Sequence, residues 1–212
     1  MIIPTQPVYR RAGCIALMFA ALQLASIDAR AVSPQPPASE GATGLPADTG
    51  SSASAALTAP VIEYDLSTLP KPVARLREQL LDAARSGDIE KLRPIIDANE
   101  GTPIFSFGGE SDPIAFWKEM SGDSQGREIL AILMEVLEAG FVHTRQGQDE
   151  DLYVWPYFAE IAIADLTPPQ EVELYKLVTA QDRKDMEEFG AYNFYRVGIK
   201  PDGQWVFFVA GD

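Results

Sequence analysis

The sequence has one cysteine, Cys14, and one histidine, His143, in 212 residues. A zinc or copper site built on two or more histidines is therefore excluded. Any Ser-His-Asp or histidine acid–base scheme has to use His143. No apolar run reaches the roughly 20 residues of a membrane-spanning helix. Cations are also scarce, 17 Lys and Arg against 31 Asp and Glu, for a formal net charge of −14. Arg10, Arg11 and Arg30 are balanced by Asp28, Glu40 and Asp48, so the whole excess falls in residues 61–212. A surface of that sign repels phosphates and anionic lipid, so nucleic acid is not an expected partner. No internal repeat of a solenoid or propeller type is present, and no motif implies a cofactor.

What is present begins with an address. The pair Arg10–Arg11 precedes an apolar run, Ile15-Ala16-Leu17-Met18-Phe19-Ala20-Ala21-Leu22, and Ala29-Arg30-Ala31 has small residues where a signal peptidase reads. Residues 1–31 are expected to be an export signal cleaved after Ala31, leaving a periplasmic or secreted protein with no stable membrane insertion. Ala12-Gly13-Cys14 imitates a lipoprotein cleavage box, but its apolar segment follows the cysteine instead of preceding it. A twin-arginine signal is disfavoured by Ala12-Gly13 after the arginine pair, and a retained anchor by Gln23 and Asp28. Cleavage after Ala31 discards Cys14, so the mature chain has no disulfide, thiol nucleophile or cysteine-bound metal.

Residues 32–60 are rich in Ser, Pro, Ala, Gly and Thr. Such a segment cannot bury enough apolar surface to offset its chain entropy, and a disordered tether is expected. Residues 61–212 are expected to form a single α+β domain. Val73, Leu76, Leu80, Leu81 and Ala84 lie at helical spacing within an expected helix over 72–86, which Gly87 ends. A second short helix over 89–97 is capped by Asp88, and another opens at Asp112-Pro113. Ile129, Leu130, Ile132, Leu133, Val136 and Leu137 mark residues 127–139 as the central core helix.

Strands are expected at 141–144 and 152–158 around a polar turn. Thr167-Pro168-Pro169-Gln170 is a capped helix start, with a break expected near Thr179. Residues 192–199 and 205–209 form an expected hairpin around Pro201-Asp202-Gly203. The expected architecture is N-terminal helices packed on a small antiparallel sheet of two hairpins.

Three segments carry a resemblance. They are Tyr153-Val154-Trp155-Pro156-Tyr157-Phe158-Ala159, Leu166-Thr167-Pro168 with Glu171-Val172-Glu173-Leu174-Tyr175, and Tyr195-Arg196-Val197-Gly198-Ile199 with Trp205-Val206-Phe207-Phe208-Val209-Ala210-Gly211-Asp212. They resemble a family of uncharacterised exported proteins of Gram-negative bacteria. The resemblance spans most of the domain, implies a periplasmic protein, and brings no known activity or site. Ala83-Ala84-Arg85-Ser86-Gly87-Asp88 resembles the start of NTF2-like domains. The helix between the two hairpins departs from that pattern, and an NTF2-like cone stands as the alternative fold.

Candidate chemistry is sparse. Gly122-Asp123-Ser124-Gln125-Gly126 imitates a protease nucleophile box but departs at Gln125, and it reads as a turn and N-cap before the core helix. Asp149-Glu150-Asp151 lacks the alternating spacing of a calcium loop and reads as a solvated acidic turn. On the strand near 155, Tyr153, Trp155 and Tyr157 are expected to share one face, with Pro156 placing the strand at an edge. Trp155 is therefore expected to be partly exposed, and Trp205 to be core. The candidate ligand-binding residues are Tyr153, Trp155, Tyr157 and His143. The first expectation is a non-catalytic module that binds a peptide, protein or small molecule. The second is a hydrolase that uses His143 with a carboxylate such as Glu160 or Asp149.

Overall fold

In the computed structural model, residues 60–148 and 150–211 are described. The segment expected to be an export signal, with Cys14, nearly all of the expected tether, and Asp149 lie outside them. The chain opens with β1 (Ile62–Glu63) and a 3-10 turn, Leu66–Thr68, capped by the Asp65 carboxylate, which accepts from the Ser67 N–H. Helix α1 (Lys71–Arg85) follows, with proline in its first turn, where a missing N–H costs nothing. A 3-10 turn capped by Asp88 leads into α2 (Arg93–Ala98). Asp112 caps α3 (Pro113–Met120) by accepting from the N–H groups of Ile114 and Ala115.

Helix α4 (Arg127–Glu138) packs on α1. Its apolar face, Ile129, Leu130, Leu133, Val136 and Leu137, is fully covered. The buried Arg77 of α1 donates from Nε and Nη2 to the Leu137 carbonyl, at 3.1 and 2.8 Å. It thereby satisfies an orphan carbonyl at the C-terminus of α4, where a cation is favoured.

Strands β2 (Phe141–Thr144) and β3 (Leu152–Trp155) form the first hairpin. Helices α5 (Pro168–Leu177) and α6 (Ala180–Phe189) come next, then β4 (Arg196–Ile199) and β5 (Trp205–Val209). The break near Thr179 is a reciprocal cap. Thr179 Oγ1 accepts from the Asp182 N–H at 3.2 Å, and Asp182 Oδ2 accepts from the Thr179 N–H at 2.8 Å.

The α+β class stands, but its arrangement differs from the expected one in two ways. The hairpins are fused into one five-stranded antiparallel sheet in the order β1-β2-β3-β4-β5. Trp155 of β3 lies opposite Val197 of β4, and the unforeseen β1 adds Ile62 opposite Val142. The helices are also not all N-terminal, because α5 and α6 are inserted between β3 and β4. That insertion is the departure from the NTF2-like pattern already visible in the sequence.

A strand's side chains alternate between faces, and here both faces are apolar. Phe141, Tyr153, Trp155, Val197 and Ile199 belong to one core with α1, α3 and α4. Trp117 anchors that core, stacked on Trp205 at 6.0 Å and tilted against Phe208 at 5.4 Å. Val142 and Val154 belong to a second core with Tyr157, Phe158, Ile163, Leu174, Leu177 and Met186. The sheet thus sits between two helical layers.

Candidate functional site

The three aromatics expected to make a platform do not share a face. Tyr153 and Trp155 point into the α1–α4 core, whereas Tyr157 has left the strand for a 3-10 turn, Tyr157–Glu160, and packs in the second core. Trp155 and Tyr157 are both 0 % exposed, and Tyr153 is 7 % exposed. The expected exposure of Trp155 is thereby corrected. Strand β3 lies centrally between β2 and β4, and Pro156 follows its last residue, where no ladder donor is required. Trp205 is buried as expected, at 1 % exposed.

The Tyr157 hydroxyl donates to Glu173 Oε2 at 2.9 Å, and the exposed Tyr64 donates to the same oxygen at 2.9 Å. Burial, then hydrogen bonding with Tyr64 and Glu173, raises the Tyr157 phenol far above its ordinary range. This cluster ties the N-terminal segment to α5.

His143 stacks flat on Tyr153, with ring centroids 4.1 Å apart and planes 14° apart. Its Nε2 donates to Asp151 Oδ1 at 2.6 Å, since an ionised carboxylate only accepts. Asp151 Oδ2 also accepts from the Gly147 N–H at 2.7 Å. That backbone bond first, and His143 with it, holds the Asp151 carboxyl below its ordinary value. Among the described residues, Asp151 is the carboxylate that meets His143. Glu160 lies across the sheet, and Asp149 is outside the described residues. The His143–Asp151 pair closes the β2–β3 hairpin over its loop.

The Gly122–Gly126 segment is a turn that caps α4. Asp123 Oδ1 accepts from the Ser121 hydroxyl at 2.5 Å and from the N–H groups of Gln125 and Arg127 at 3.1 and 3.2 Å. Among the described residues, no cluster of three or more His, Cys, Asp or Glu could hold a metal ion. No described helix is long and apolar enough to cross a membrane.

A feature absent from the sequence reading lies on the α5–α6 side of the sheet. There an open groove of about 480 Å³ runs over Leu152, Val206 and Phe207. Its walls carry three cations, Arg145, Arg196 and Lys200, and two acids, Glu150 and Glu160. Arg145 and Glu150 form an ion pair on the hairpin loop. Glu160 ends the 3-10 turn after β3, and crowding by protein atoms pushes its carboxyl above the ordinary range. Arg196 and Arg145 pull it part of the way back.

The floor depends on Gly198. A Cβ at that position would come within 2.3 Å of the Phe207 ring, so the absent side chain is what lets the ring lie against the sheet. The groove is assembled from the β2–β3 loop, the 3-10 turn, β4 and β5, and no local motif announces it. One signal was available. Arg196, Gly198 and Lys200 alternate along β4 and its extension, which puts two cations beside a bare glycine on one face.

A second groove, of about 370 Å³, lies between α1, α2 and the β4–β5 turn. Asn99 in its wall is saturated, donating to the carbonyls of Gly101 and Trp205 at 2.7 and 2.9 Å and accepting from the Trp205 N–H at 2.8 Å. It reads as a clasp on β5. Comparison with protein-family models, curated proteins and solved structures finds no match for this chain.

Proposed function

We propose that this chain is an exported binding module whose ligand lies in the groove between Arg145, Glu160, Arg196 and Lys200. The observation that carries this function is the gathering of three cations and two acids around an apolar floor, in a chain of net charge −14. An apolar base with a few convergent polar groups is the usual make-up of a small-molecule site. Export to the periplasm or medium is supported by Arg10–Arg11, the apolar run after it and Ala29-Arg30-Ala31. Kinship with the uncharacterised exported proteins of Gram-negative bacteria is part of the same proposal.

The test is a thermal-shift screen of the purified chain against amino acids, peptides, sugars and organic acids, run beside Arg196→Ala. Binding in the groove predicts at least one stabilising compound whose effect is lost in Arg196→Ala. A compound that stabilises both proteins equally places the site elsewhere.

A hydrolase is the second reading, favoured by one observation, the 2.6 Å contact of His143 with Asp151. Its imidazole belongs to the opposite face of the sheet from the groove, so the two functions separate experimentally. Esterase or peptidase turnover abolished by His143→Gln supports the hydrolase; turnover unaffected by that change removes it.

A further inference from the structure

We propose that the groove takes a zwitterionic ligand, an amino acid or short peptide with free ends, whose ammonium meets Glu160 and whose carboxylate meets Lys200. This rests on the groove being the binding site, as proposed above. Glu160 and Lys200 line the same groove, yet no hydrogen bond or ion pair joins the two side chains. Among the described residues, the Glu160 carboxylate has no hydrogen-bond donor; Arg145 and Arg196 act on it only through their field. The Lys200 ammonium likewise has no acceptor among the described residues, although its backbone N–H is used in the β4–β5 turn. Glu150 already meets Arg145, which leaves Glu160 as the acid of the groove without an ion-pair partner among the described residues.

Two opposite charges kept apart over an apolar floor select among ligand classes. A simple anion would pair with Lys200 but bring like charge toward the Glu160 carboxylate, which is exposed on the same groove. A nucleotide or other phosphate has no ammonium to offer and would press extra negative charge against Glu160. A simple amine leaves the Lys200 ammonium without an acceptor among the described residues. Only a ligand carrying both charges answers both walls, and each contact is then a charge-assisted hydrogen bond. Leu152 and Phe207 on the floor suit an aliphatic side chain between the two ends.

The experiment is isothermal titration of the purified full chain with L-leucine, dileucine and trileucine, and with N-acetyl-dileucine and dileucine amide. At least one free-ended probe is expected to bind roughly tenfold or more tighter than either blocked form, the size expected for one charged hydrogen bond. Glu160→Gln should erase the penalty for acetylation, and Lys200→Met the penalty for amidation. Both side chains line an open groove, and an unchanged circular dichroism spectrum shows that the variants fold. Equal binding of free and blocked forms overturns the zwitterion while leaving the groove as the site. Absence of heat with all five probes also overturns it, and the groove then stands or falls on the compound screen.

Discussion

Replacing Trp155 by alanine tests the correction that matters most to the site, namely that this residue is structure and not ligand surface. Trp155 is 0 % exposed and tilts against Phe141 at a centroid distance of 5.0 Å. A buried tryptophan covers on the order of 200 Å². At about 25 cal/mol per Å² this corresponds to roughly 5 kcal/mol, lowered somewhat because the unfolded chain already shields part of that area. The alanine variant is therefore expected to lose about 3–5 kcal/mol, a large share of the roughly 5–15 kcal/mol that holds a domain together.

Phenylalanine supplies the control. The Trp155 indole nitrogen is buried and has no hydrogen-bond partner among the described residues, so Trp155→Phe sacrifices packing area but no hydrogen bond. It should cost about 1–2 kcal/mol, near the range of partial core truncations. Urea denaturation followed by circular dichroism measures both, with the slope checked for constancy. A loss below about 1 kcal/mol for Trp155→Ala would refute the burial argument and restore an exposed aromatic platform.

Other positions give independent checks. Arg77→Met should lower stability by about 2–4 kcal/mol, because the Leu137 carbonyl loses both of its guanidinium donors; a denaturation midpoint within error of the parent contradicts the helix cap. The lowered pKa of Asp151 means that its contribution is fully present above the ordinary carboxyl value of 3.8 and is lost as pH falls through the depressed value. Asp151→Asn should therefore flatten that part of the acid-stability curve, whereas an unchanged curve shows that the bonds from Gly147 and His143 to this carboxylate add nothing. Gly198→Ala should displace the Phe207 ring at a cost of about 1–3 kcal/mol. Phe207 resonances that stay in place would show that the floor does not depend on the glycine.

Legibility in the sequence followed the range of the forces involved. Helices α1 and α4 were readable because Val73, Leu76 and Leu80, and Ile129, Leu133 and Val136, repeat at the helical period within one segment. The Thr167 cap is readable because capping is chemistry between residues three apart, whereas near Thr179 only the break is expected and the cap itself comes from the structure. Strand β1 has only two residues, too few to carry a period. The pairing of β3 with β4 crosses two intervening helices, and no local pattern encodes it. The expected exposure of Trp155 rests on Pro156 lying inside an edge strand, whereas Pro156 follows the last residue of the central strand β3. Glu160, Arg196 and Lys200 come together only once the sheet has formed, so they could be read as a group only through the alternation along β4.

The central claim is that the ligand occupies the groove on the α5–α6 side of the sheet. Its most direct test is an amide-resolved NMR titration of the purified chain with the tightest compound from the screen. Binding in the groove predicts saturable shifts at Leu152, Glu160, Gly198 and Lys200, with Arg75, Asn99 and Gly203 of the second groove unmoved. Shifts confined to those second-groove residues, or to the surroundings of His143 and Asp151, would contradict it.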